Sequence, residues 1–450
     1  MQADSRKIIS ENIVADRSKL KIICVFLHRI YFGRIPYERQ YRGKKRKAMN
    51  ITELQQSYAS HPNVEGVCRL LKDNSVRHLY CGGLYASAAS LFSSVLVQRA
   101  TCPLVFILGD MEEAGYFYHD LTQILGTEQV LFFPSSFRRA IKYGQKDAAN
   151  EILRTEVLSR LQKGEEGLCV VTYPDALAEK VVSRKELGDN TLKLHAGERV
   201  DMNFVTDVLR SYGFEYVDYV YEPGQYAVRG SIIDVFSFSS EYPFRIDFFG
   251  DEVESVRTFE VETQLSKEKK ESIVIVPDLS HSLEKKGSGG MVSFLDFLPS
   301  DSLLAMRDFL WLRERIQTVH DESLTPQAIA ARESEENGAI TLEGKLIDGG
   351  EFTLRALDFR RMEFGNKPTG TPDATVSFHT TVQPIFHKNF DMVAESFREY
   401  LSRHYTIYIC SDSLKQTDRI RAIFEDRGDN ISFTAVERTP VSYTHLTLPT

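Results

Sequence analysis

Between residues 76 and 172, four short apolar runs, VRHLYCG, PLVFILG, QVLFFP and LCVVTY, alternate with longer amphipathic stretches. A short continuous apolar run suits a strand buried on both faces, and apolar groups recurring every three or four residues suit a helix laid across it. Residues 110–125 put Met111, Phe117, Leu121 and Leu125 on one side, and 147–162 do the same with Ile152, Leu153, Val157 and Leu161. Repetition of this unit predicts a largely parallel sheet with covering helices. Gly164 and Gly167 bracket the stop of the second helix, as C-terminal glycines do.

After Pro174 the texture changes. A helix is predicted at 203–211, followed by YAVRGSIIDVFSF, a turn at SSEYP, and FRIDFFGDEVESVRTFEV. Val, Ile, Phe and Tyr alternating with polar residues between turn signals mark antiparallel hairpins. SKEKKES and KKGSGGM read as loops, while SIVIVP, VSFLDFLP and SLLAMRD read as further strands completing the first sheet. A Glu-rich helix is expected near 326–337. TVSFHTT, a helix at 389–403, YTIYICS and a helix at 413–427 form one more small unit. The expected fold is α/β: a parallel-sheet domain in two parts, 49–177 and 263–370, interrupted by an α+β, β-hairpin-rich domain at 178–262. A small α/β domain at 371–438 follows.

Composition limits the chemistry. Of 450 residues, 42% are apolar and 26% charged, the profile of a water-soluble globular chain. No run approaches the ~18 apolar residues that span a bilayer. The six cysteines, Cys24, Cys68, Cys81, Cys102, Cys169 and Cys410, form no C-x-x-C pair, and the histidines form no H-x-x-x-H pair. Reduced thiols in a cytosolic protein fit better than a disulfide or zinc framework, and no metal is expected. Residues 1–48 hold 13 Lys/Arg and 4 Asp/Glu, a net +9, which leaves −17 of the total −8 on the other 402 residues. A body that acidic repels duplex DNA, because non-specific binding needs cations to displace counterions. A role near DNA therefore points to a protein partner.

The two ends break pattern. The basic segment before Met49 is read either as an arm for nucleic acid or as translated upstream sequence. Regular periodicity beginning only after Met49 favours the second, so 1–48 is expected to be a non-native or disordered extension. VSYTHLTLPT at the end looks like translated adapter sequence, and 439–450 is expected to be an artefact tail.

Four motifs bear on function. CGGLYASAAS (81–90) occupies the strand–loop–helix position of a phosphate-binding loop, which needs G-x-x-x-x-G-K-[ST]. Counting from Gly82, the Gly-Lys-Ser/Thr positions hold Ser87, Ala88 and Ala89; counting from Gly83, they hold Ala88, Ala89 and Ser90. Neither frame has a lysine. In DFFGDEVE, Asp247, Asp251, Glu252 and Glu254 lie within eight residues, but no histidine is near, and solvated charges around a hairpin turn explain them. The loop PSSFRRAIKYGQ carries Arg138, Arg139, Lys142 and Tyr143, a short basic stretch read as solvated. EPGQYAVRGSIIDVF places Arg229 inside an apolar strand with Tyr226 three residues before it. Pairing with a surface carboxylate such as Glu222 accounts for a lone arginine, yet Tyr and Arg on a rigid strand also make interface anchors. No G-x-S-x-G elbow or cysteine motif signals nucleophilic catalysis.

Residues 213–264, GFEYVDYVYEPGQYAVRGSIIDVFSFSSEYPFRIDFFGDEVESVRTFEVETQ, closely resemble the bacterial transcription-repair coupling factors and, more distantly, excinuclease B (UvrB). Weaker similarity runs from about Met49 to Glu437, through VVTYPDALAEKV and SFLDFLPSDSLLAM. The resemblance implies a helicase-like first domain that has lost its nucleotide loop, interrupted by a second domain that binds excinuclease A (UvrA). ATP and magnesium would serve a motor further along the full-length family, where contacts to RNA polymerase and DNA also lie. This chain would then carry no cofactor and no enzyme activity, and would act as the recruitment module of transcription-coupled nucleotide excision repair in the bacterial cytoplasm. The short loop from Ser135 to about Asp147 replaces the aromatic DNA-clamping hairpin of excinuclease B. By the same resemblance Arg229 is the motif arginine of the binding face, flanked by Tyr226 and Phe236, with Arg245 and Asp247 on the following strand. Glu215 stands where some relatives carry a basic residue. In the intact family a C-terminal domain masks this face.

Overall fold

The computed structural model describes residues 22–26, 49–85, 87–136, 148–278, 290–323, 344–365, 367–380, 389–411 and 413–437. The basic loop at 138–143, the Glu-rich stretch near 326–337 and the C-terminal tail lie outside the described residues.

The alternating runs form the core of a seven-stranded sheet. Its order is Ala374–Ser377, His78–Gly82, Arg360–Glu363, Leu303–Met306, Leu104–Ile107, Cys169–Thr172 and Val130–Phe132, all parallel. The four strands LLAM, LVFI, CVVT and HLYCG explain why apolar runs were needed: the first three are buried at every position, and the fourth at all but Tyr80. Helices Ser87–Arg99, Met111–Leu125 and Ala148–Lys163 follow their strands as the periodicity predicts. Gly164 and Gly167 have φ of +70° and +68°, the left-handed conformation that stops the helix and turns the chain.

The sheet interleaves two distant parts of the chain. His78–Gly82 and Leu104–Ile107 are consecutive in sequence but not neighbours, because Arg360–Glu363 and Leu303–Met306 lie between them. The first part therefore cannot close its core without residues contributed after the insertion. Arg315 of helix Phe309–Ser323 holds Asp175 of helix Pro174–Ala178 at 3.0 Å, joining the two parts again.

Three expectations change. SIVIVP does not join the large sheet: Ser272–Ile275 pairs antiparallel with Leu192–His195 and caps the inserted domain. That domain accordingly extends past 262, because its core needs Ile273 and Ile275. SFLDFLP contains a helix, Phe294–Phe297, capped by Ser293, whose hydroxyl accepts the Leu295 amide at 3.2 Å. TVSFHTT belongs to the large sheet beside His78–Gly82 and not to the small domain.

The small domain has a four-stranded parallel sheet with helices Phe390–Ser402 and Leu414–Asp426. Two of its strands come from the start of the chain. Met49–Asn50 pairs with Thr434–Glu437, and Ile22–Phe26, inside the basic extension expected to be disordered, pairs with Thr406–Ser411 over five residues. IICVF is a β-prone apolar run, long enough to complete a sheet edge though too short for a signal segment. Ile51 and Leu54 then pack with Tyr408, Cys410 and Val436 and with Leu91 and Ile124, joining the small domain to the first.

Candidate docking face and the glycine loop

The inserted domain is built on a six-stranded sheet. We label its strands β1 (Glu215–Tyr216), β2 (Gln225–Arg229), β3 (Ile232–Val235), β4 (Phe244–Phe249), β5 (Glu252–Phe259) and β6 (Ser266–Lys270). They lie side by side in chain order, antiparallel except for β1 against β2. Gly230 at φ +62° and Gly250 at φ +61° make the tight β2–β3 and β4–β5 turns, which side-chain-bearing residues adopt only under strain.

Two-residue alternation sorts this sheet into two unlike faces. One face carries Tyr226, Ile233, Val235, Ile246, Val253 and Val256, and packs against Val205 and Leu209 of helix Met202–Ser211. The other carries a cross-strand ladder of charge. Arg229 on β2 and Arg245 on β4 both reach Asp234 on β3; Arg245 does so through two bonds, Nε to Oδ1 at 2.7 Å and a terminal nitrogen to Oδ2 at 2.8 Å. Arg257 on β5 pairs with Asp247 on β4, which also accepts from the Ser255 hydroxyl at 2.8 Å. The Asp234 side chain is 1% exposed, whereas those of Arg229 and Arg257 are 36% and 37% exposed. Buried carboxylates thus hold partly open guanidinium groups. The bond to Asp234 raises the Arg245 pKa above the ordinary arginine value, so that group stays charged.

Rings finish the ladder face. Arg229 lies 5.1 Å above Tyr219, and Arg245 lies 4.4 Å above Phe259. Val220, Ala227, Phe236 and Phe259 form a small apolar cluster at one end, with no helix residue in it. Tyr216, Tyr219 and Tyr221 stand exposed at the adjoining β1 edge.

The candidate residues are therefore divided. Arg229, Arg245 and Asp247 share the ladder face, and Phe236 is buried beneath one end of it. Tyr226 is turned to the packed face, where its hydroxyl accepts from Arg210 Nε at 3.2 Å, because residues 226 and 229 lie on opposite sides of an alternating strand. Arg229 pairs with Asp234 and not with Glu222. Asp247 leaves the acidic cluster: it is inside the ladder, while Asp251, Glu252 and Glu254 are exposed. No group of three or more His, Cys, Asp and Glu suited to a metal occurs among the described residues. Sequence reasoning does not single out Asp234 and Arg257. The signal that could have found them is alternation: SIIDVF puts a carboxylate midway along an apolar strand, within reach of a cross-strand arginine.

The glycine loop has a different geometry. Gly82 ends its strand, Gly83 has φ +75°, and the helix carrying Ser87, Ala88 and Ala89 runs Ser87–Arg99. The chain from 378 to 380 lies on the loop. The Phe378 amide donates to Gly82 O at 2.7 Å, the Thr380 hydroxyl donates to Gly83 O at 2.6 Å, and the Tyr85 amide donates to the Thr380 hydroxyl at 3.0 Å. A β-carbon on Gly83 would sit 2.0 Å from Phe378 O. Gly83 is thus required by close packing of the chain's own backbone, and the Tyr85 amide is already bonded.

Residues 192–281 match the UvrB interaction domain family, the span that holds the whole six-stranded sheet and its capping strand pair. The chain is also similar to the transcription-repair-coupling factor of Escherichia coli K12, 29% identical over 198 residues, covering 44% of this chain and 17% of that protein. The one from Bacillus subtilis 168 is 30% identical over 43% of this chain and 16% of its own length. That from Staphylococcus aureus RF122 is 21% identical over 397 residues, covering 76% of this chain. The chain thus contains a match to the UvrB interaction domain and is similar to transcription-repair-coupling factors. It spans 34% of the Staphylococcus aureus relative and less of the other two. The match to the UvrB interaction domain covers the inserted domain, both faces of its sheet included, and does not reach the glycine loop; no described helix is long and apolar enough to cross a membrane.

Proposed function

We propose that this chain is a recruitment module of bacterial transcription-coupled nucleotide excision repair, which docks excinuclease A (UvrA) through the ladder face around Arg229. The observation that carries this reading is the coincidence of the UvrB interaction domain with a sheet whose second face bears partly exposed, pre-oriented arginines and, among the described residues of its apolar cluster, no helix residue. Guanidinium groups fixed by buried carboxylates lose little rotamer freedom on binding, which favours their use as interface anchors. The larger assembly would bring UvrA to RNA polymerase stalled on DNA in the cytoplasm, through parts of the relatives that this chain does not match.

We further propose that the glycine loop holds no ATP and that these residues supply no hydrolytic or translocase activity. The absent lysine and the occupied Tyr85 amide support this over an ATP-dependent, excinuclease B-like reading.

Calorimetric titration of the chain with purified UvrA, beside Arg229→Ala, tests the docking reading. Loss of at least about 2 kcal/mol of binding in the variant is the expected hot-spot result. Absence of binding by folded wild type would sink the recruitment role, and binding of ATP by the chain would sink the assignment of the loop.

A further inference from the structure

We propose that the β5–β6 side of the ladder face is a second docking subsite that takes carboxylate side chains from an acidic patch on the partner protein. The inference deepens the docking reading and rests on it. Strand register sets Arg245, Arg257 and Lys269 side by side across β4, β5 and β6. Like charges directly opposite each other on a sheet are destabilising, so such a rung needs compensation. The protein supplies only part of it. Asp234 serves Arg245 and is shared with Arg229, and Asp247 serves Arg257. Lys269 is exposed and has no ion pair among the described residues. Arg257 Nε is buried and has no hydrogen-bond partner among them. Across these rungs the described residues thus set four cations, Arg229, Arg245, Arg257 and Lys269, against two directly paired carboxylates, Asp234 and Asp247, on a body that carries −17 outside its first 48 residues.

A local cation excess on an acidic protein selects for an anion, and the geometry favours protein carboxylates over nucleic-acid phosphates. A phosphate backbone is a continuous line of charge. Here the cationic rung is short, and the opposite edge of the same sheet exposes Glu215, Asp218 and Glu222, which would repel a strand crossing the face. Discrete Asp or Glu side chains can meet Arg257 and Lys269 without touching that edge.

The test uses the full chain and purified UvrA at low and moderate salt, comparing wild type, Lys269→Glu, Arg257→Gln and the remote exposed control Lys415→Glu. Lys269→Glu should weaken binding by about ten-fold at low salt and flatten its salt dependence, with Lys415→Glu unchanged. Arg257→Gln, which keeps a hydrogen-bonding side chain, should weaken it less. If Lys269→Glu and Arg257→Gln both bind like wild type while Arg229→Ala does not, docking survives and the carboxylate subsite is overturned. If folded wild type fails to bind, both readings fall. If wild type binds a short DNA duplex and Lys269→Glu does not, phosphate is the ligand and the subsite as proposed is overturned.

Discussion

The two large sheets answer burial in opposite ways. The seven-stranded parallel sheet is covered on both faces, and even the loop at the end of its His78–Gly82 strand is filled by the chain at 378–380. The six-stranded sheet packs one face and leaves the other as a charged ladder. A βαβ architecture offers binding surface mainly at strand ends, and here that end is occupied where the glycine loop lies. An antiparallel sheet can offer a whole face, provided its charges are paired. Function is expected on the second sheet for that reason.

If the contrast is right, the largest losses of stability should come from the doubly covered sheet. Phe106→Ala, at a fully buried position, should cost about 3–5 kcal/mol in urea unfolding. A loss well under that would mean the sheet can collapse around a cavity. Next comes Asp234→Ala. It strands Arg245, whose side chain is 14% exposed, and should cost about 3 kcal/mol; a neutral result would mean the ladder is a surface feature without structural weight. Gly83→Ala sharpens the reading of the loop. The new β-carbon meets Phe378 O and the positive φ disfavours it, for about 2 kcal/mol, with amide exchange speeding up in 374–380 before the rest of the domain. Wild-type exchange there would show that the two backbones do not pack closely.

The smallest effect expected is acid weakening of helix Pro62–Leu70. His61 caps it, with Nδ1 accepting the Asn63 amide at 3.2 Å, and burial lowers the His61 pKa below about 6.5. The unfolded chain therefore binds the proton more readily. The stabilisation is present in full above the unfolded value and is lost as pH falls through the lower folded one. His61→Asn keeps a cap and removes the titration, so its stability should be flatter with pH below about 6.5. Parallel pH curves for the two proteins would refute this.

Local pattern carries much of the architecture. Apolar runs such as LVFI and CVVT, glycines at helix stops, and alternation through YAVRGSIIDVF each follow from nearest-neighbour chemistry and are legible without coordinates. SFLDFLP reads as a strand because a short apolar run suits either element, and Ser293 decides it by capping a helix. The candidate site is half legible. Arg229 is visible as a cation in an apolar strand, but its partner is not, because pairing is set by cross-strand register and register is a long-range property. The missing lysine of the glycine loop is plain in the sequence. That residues nearly three hundred positions away fill the loop is not, since only the joining of Ala374–Ser377 to His78–Gly82 brings Thr380 to Gly83. The sequence by itself determined most of the strands and helices, the buried runs LVFI and CVVT and the alternating YAVRGSIIDVF among them, and where charge is scarce. Tertiary structure alone decided which face of each strand is covered, because that depends on what the rest of the chain packs against it.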